Sequence, residues 1–188
     1  MARFTSSEID ALLDRGPISA TPPWSTDQDA VEAVLRALCV QLEGQLNLRS
    51  RIEWDHYGCG YASFVDAWFY RPTPEFKSKQ VIPKSEGYEG LVVLFARFAP
   101  YYVFMQGTKH WDKRGGSDYL PDAMMVDALD APAVIALAGE MQPLLARAGL
   151  TRLSSSDLAA PLDPDIAVPT ILSQPPFTQF DALFHWED

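Results

Sequence analysis

Basic residues all but vanish from the sequence after Gly115. Arg147 and Arg152 stand there against 11 acidic side chains, whereas residues 1–114 carry 13 bases and 14 acids. Nearly all of the formal charge of −10 therefore falls in the last 74 residues. A chain this poor in cations, with an isoelectric point near 4.6, repels phosphate, which argues against nucleic acid as a partner. The best local candidate for a basic patch, Arg71, Lys77, Lys79 and Lys84, falls on an expected loop and reads as solvated surface.

Cysteine is equally scarce. Cys39 and Cys59 cannot build a disulfide framework, and two small buried hydrophobes in a reducing compartment are the simpler expectation. Long apolar runs are missing too. The longest, Leu91–Met105, is broken by Arg97 and Pro100 and falls short of the roughly 20 residues a spanning helix needs. The N-terminus has no apolar run of signal-peptide length. These absences point to a cytoplasmic protein with no membrane partner; monomer and homodimer both fit.

Catalytic motifs are absent as well. There is no H-E-x-x-H, no pair of C-x-x-C, no G-x-S-x-G and no phosphate-binding glycine fingerprint. Asp55-His56, His110 with Asp112, and His185 with Glu187 have ligand chemistry but no recognised metal spacing. Glu86 with Glu89 and Asp163 with Asp165 are carboxylate pairs of the kind an acidic chain contains by chance. Gln106-Gly-Thr-Lys109 and Lys113–Ser117 have residue types suited to an anion and read as a loop. The one constellation that could assemble a nucleophile is Cys59, flanked by Gly58 and Gly60, with His56 or His110 as base. The same glycines suit a tight turn. No cofactor is implied.

What is present is a patterned globular sequence, with 47% apolar residues and ten Phe, seven Tyr and five Trp. Ser6 or Ser7 can cap a short helix ending at Gly16-Pro17. Thr26 with Asp29 opens a second over 27–43, its stripe formed by Val31, Val34, Leu35, Leu38 and Leu42. The period then changes to two over Leu46–Tyr57, the mark of a half-buried strand. Tyr61–Arg71 is apolar on both faces, as a central strand should be. Over 91–98 Leu91, Leu94, Phe95 and Phe98 would line a helix, while Val92-Val93 and the aromatics suit a strand. Two strands, 90–98 and 101–107, are favoured. Asp130 with Pro132 begins a further helix, Gly149 ends it, and Pro143 lies inside it. The aromatic end, from Phe177, should dock on the core as a strand or short helix. The expected fold is a single α+β domain over 1–188 with a mainly antiparallel meander. It comprises N-terminal helices (6–43), a central sheet (46–111), a C-terminal helix (131–148) and a packed Pro-rich tail (151–188).

The acidic surplus gathers on two segments. Asp118, Asp122, Asp127 and Asp130 lie around one loop-to-helix junction, and Asp157, Asp163 and Asp165 follow on Pro-rich chain. Trp111 and Tyr119 stand beside the first group, and large aromatics among charges are what an interface anchor looks like. These nine residues are the expected partner-binding surface; solubility alone is the competing explanation.

Two stretches carry a family resemblance: Gly-Leu-Val-Val-Leu-Phe-Ala-Arg-Phe-Ala-Pro-Tyr-Tyr-Val-Phe over Gly90–Phe104, and Asp-Ala-Leu-Phe-His-Trp-Glu-Asp over Asp181–Asp188. With the size and acidity, they resemble the small cytosolic immunity proteins of bacterial polymorphic and secreted toxin systems. That resemblance implies an α+β, non-enzymatic protein that binds a cognate toxin domain and blocks its active site. A small hydrolase or transferase using Cys59 is the alternative.

Overall fold

Capping chemistry sets where the helices begin. In the computed structural model, which describes residues 3–79, 85–111 and 116–188, with Trp111 represented by its backbone alone, α1 runs Ser6–Leu13. Its cap is Thr5 rather than Ser6 or Ser7. Glu8 selects it, because Thr5 and Glu8 bond reciprocally in a capping box. Helix α2 spans Gln28–Leu46, with Asp27 Oδ1 accepting from Ala30 N at 2.7 Å, while Thr26 turns back to donate to Pro23 O. Val31, Leu35, Leu38, Cys39 and Leu42 are buried, but Val34 is exposed. The helix overruns its expected end because Asn47 takes a left-handed cap at φ 51°. The alternating segment is shortened accordingly, and β1 is Arg49–Glu53.

After a turn through Gly58-Cys59-Gly60, β2 (Tyr61–Ala62) and β3 (Phe64–Tyr70) follow. Strands β4 (Glu86–Ala96) and β5 (Tyr101–Trp111) settle the ambiguity over 91–98 in favour of strand. Both are longer than expected, pairing from Phe95↔Tyr102 to Glu86↔Trp111, so Gln106-Gly-Thr-Lys109 is strand rather than loop. The sheet order is β1-β3-β4-β5-β6, a four-strand antiparallel meander to which β6 (Thr151–Arg152) adds in parallel. Every residue of β3 is buried, as its place between β1 and β4 requires.

Helix α3 (Pro132–Arg147) has Pro132 in its first turn and Gly149 left-handed just past its end. Asp130 does not cap it. Gln106 of β5 does so from outside, its Oε1 accepting from Asp130 N (3.1 Å) and Ala131 N (3.0 Å) while its Nε2 donates to Asp130 Oδ1. This exchange ties α3 to one face of the sheet, and Arg71 bonding Glu140 ties it further.

The other face is covered by irregular chain and the C-terminal segment. The latter forms both expected alternatives, helix α5 (Gln179–Leu183) and strand β7 (Trp186–Glu187), the latter pairing with β2. Phe184 packs edge-on against Phe64, and Gln179 bonds the backbone of Phe4 in both directions. One turn of helix, α4 (Ser155–Leu158), lies between β6 and this tail. A single apolar core joins all these elements. No helix among the described residues is long and apolar enough to cross a membrane.

Candidate functional site

Register and alternation place Glu53, Asp66, Trp68, Gly107 and Lys109 on the sheet face opposite α3. Gly90 and Gly107 pair across β4 and β5. A Cβ on Gly90 would meet the Trp68 ring at 2.4 Å, and one on Gly107 would meet the Tyr119 ring at 2.1 Å. Gly90 thus makes room for the Trp68 indole, and Gly107 makes the slot into which Tyr119 lies. From there its hydroxyl donates to Asp66 Oδ1 at 2.9 Å, while Tyr57 donates to Oδ2 at 2.8 Å. Lys109 Nζ sits 5.2 Å from the Tyr119 ring centroid and 4.0 Å from Glu53.

This network floors a cavity of about 880 Å³. Its walls are Glu53, Tyr57, Asp118, Asp122, Leu172 and Trp186, and Leu120 and Met124 stand at its mouth. Those two are 60% and 85% exposed, unusual for apolar side chains beside a cavity. Asp66 is 2% exposed, and burial pushes its carboxyl above the usual range, against the pull of Lys109 and the two tyrosines. Burial and then Asp66 push both tyrosine hydroxyls up as well. At neutral pH both hydroxyls keep their protons and donate to Asp66.

The expected partner-binding residues divide. Asp118 and Asp122 line the cavity. Each has one oxygen fixed by a backbone N–H, Asp118 by Thr108 and Asp122 by Met124, both at 2.7 Å. Tyr119 is 7% exposed; it is a floor group rather than a surface anchor, because its hydroxyl satisfies buried Asp66. Asp127 is structural, pairing with Arg152 and accepting from Ser155 N. Asp130 is bound to Gln106, and Asp157 closes a capping box with Ser154 that holds its carboxyl below the usual range. Asp163 accepts from Asp165 N on a separate Pro-rich stretch, where both are exposed. The side chain of Trp111 lies outside the described residues, as do Lys84, Asp112 and Lys113–Gly115.

Sequence reasoning overlooked Asp66, Tyr57, Glu53 and Trp186 as site residues, and took Lys109 only as part of a loop suited to an anion. One signal was there to use: Asp66 is the lone carboxylate in an otherwise apolar central strand, and a buried charge needs partners.

Elsewhere, Cys59 is exposed, and desolvation together with the adjacent Asp188 carboxylate pushes its thiol up, opposite to the shift that activates a nucleophile. His56 Nδ1 accepts from Ala62 N at 2.9 Å. Both ring nitrogens of His110 are buried, with no hydrogen-bond partner among the described residues. Among those residues, no three His, Cys, Asp or Glu side chains converge as metal ligands. Arg71 and Lys77, from the basic loop, are paired with Glu140 and Glu86.

Fold and site together define an α+β protein with a preorganised acidic cavity under an apolar lip. No protein-family model, curated protein or solved structure matches the chain.

Proposed function

We propose that the chain is a non-enzymatic immunity protein that binds a basic bacterial toxin domain, using the cavity mouth as its contact surface. The observation that carries the reading is that exposed Leu120 and Met124 line the same open cavity as Asp118 and Asp122, all within seven residues of chain. A protein interface needs apolar anchors that lose water and charges that select the partner, and this rim offers both within one short segment. Among the described residues the carboxylates there carry charge that Lys109 alone does not balance, so the complementary surface is cationic. The Gly90–Phe104 and Asp181–Asp188 resemblance supports the toxin as partner, and in the cytoplasm such a protein would meet its toxin before self-injury.

Co-expression tests the reading. If a toxin domain is encoded beside the gene for this chain, growth arrest by that domain should be relieved by the native chain. A toxin that still arrests growth, or that forms no complex with the purified chain, would exclude this function.

A further inference from the structure

We infer that the cavity receives an arginine-bearing loop tip of the partner, with the guanidinium among Glu53, Asp118 and Asp122 and its stem along Tyr57 and Trp186. The inference rests on the proposed protein-binding role of the same face. Among the described residues, four carboxylates and one ammonium line the cavity. Asp66 is occupied by Tyr57 and Tyr119 at the floor, where Lys109 lies over the Tyr119 ring. The surplus negative charge therefore sits higher, on Glu53, Asp118 and Asp122.

These carboxylates are open acceptors. Asp118 and Asp122 each spend one oxygen on a backbone N–H, which fixes the group's direction, and the second has no hydrogen-bond partner among the described residues. Glu53 is 4.0 Å from Lys109, beyond hydrogen-bond reach. The rings of Tyr57 and Trp186 stand 4.5 Å apart at 38°, and the indole is fixed by donation to Cys59 O. Separated acceptors beside aromatic faces suit a planar guanidinium, which donates in several directions and stacks, better than a compact ammonium. The volume of about 880 Å³ exceeds that of one side chain, so residues flanking the arginine enter with it, against Met124 and Leu172.

Two blocked tripeptides, acetyl-Gly-Arg-Gly-amide and its citrulline counterpart, probe the cavity in the free full-length chain. Citrulline keeps the shape and loses the charge. The arginine peptide should shift the Trp186 indole resonance saturably, and the citrulline peptide should bind about tenfold more weakly. The double variant Asp118→Asn, Asp122→Asn keeps an acceptor oxygen for Thr108 and Met124. It should weaken the arginine peptide about tenfold while leaving the unfolding midpoint in place. No saturable shift, equal binding of the two peptides, or native affinity in the variant would overturn the arginine site. Toxin binding is measured apart from these titrations, so its absence would count against the proposed function and not against the peptide result.

Discussion

Asp66 is the residue on which the site turns. A carboxylate buried in an interior strand of a sheet is tolerable because two tyrosine hydroxyls donate to it and the Lys109 charge attracts it. Removing it leaves the buried Tyr57 and Tyr119 hydroxyls without their acceptor, so Asp66→Ala should lower unfolding free energy by about 1–3 kcal/mol for each hydroxyl, read by urea titration. Tyr119→Phe keeps the ring in its slot and deletes one bond to a charged group, a loss of about 1.5–3 kcal/mol. A second residue-scale consequence concerns pH. His185 is fully buried, and burial depresses its imidazole below the ordinary 6.5, with Glu187 pulling the other way and Arg15 adding to the depression. The unfolded chain then binds a proton that the folded chain refuses. Stability from this group is present above pH 6.5 and is lost as pH falls from there toward the depressed folded value. His56 is shifted the same way by burial and Arg97. The unfolding midpoint should drop between neutral and mildly acidic pH, and His185→Gln should flatten that drop.

At the scale of elements, period and caps were readable where they are local. The α2 stripe, the buried β3 run and Gly149 after α3 follow from residues a few positions apart. The N-caps of α1 and α2 fell a residue from expectation, on Thr5 and Asp27, and the larger misses depend on residues far apart in sequence. Gln106 caps α3 from 24 residues away in β5, so no window around Asp130 contains the answer. Gln106→Ala should cost about 1 kcal/mol, as loss of an ordinary N-cap does, measured by thermal or urea unfolding. Gly107 looked like a strand end, yet it continues β5, because a glycine is needed where Tyr119 crosses the sheet. Gly107→Ala forces that ring aside and should destabilise by about 1–3 kcal/mol. The same distance problem hid the site. Asp118 and Asp122 were visible as charge, while Glu53, Asp66 and Lys109 meet only through the pairing of β1, β3, β4 and β5.

For the whole molecule, the uneven charge has two distinct uses. Asp127, Asp130 and Asp157 hold loops and caps, whereas Asp118 and Asp122 present an oxygen each to an open cavity. Reversing all the acids would mix those roles, so the clean probes are apolar. Leu120 and Met124 project from the mouth, and Val40 projects from α2 with 68% exposure. The decisive measurement is the affinity of the proposed toxin partner for Leu120→Asp, Met124→Asp and for Val40→Asp. The mouth variant should lose at least about tenfold in affinity with its unfolding midpoint unchanged, and the Val40 variant should bind as the native chain does. Native affinity in the mouth variant would contradict the cavity mouth as the binding surface.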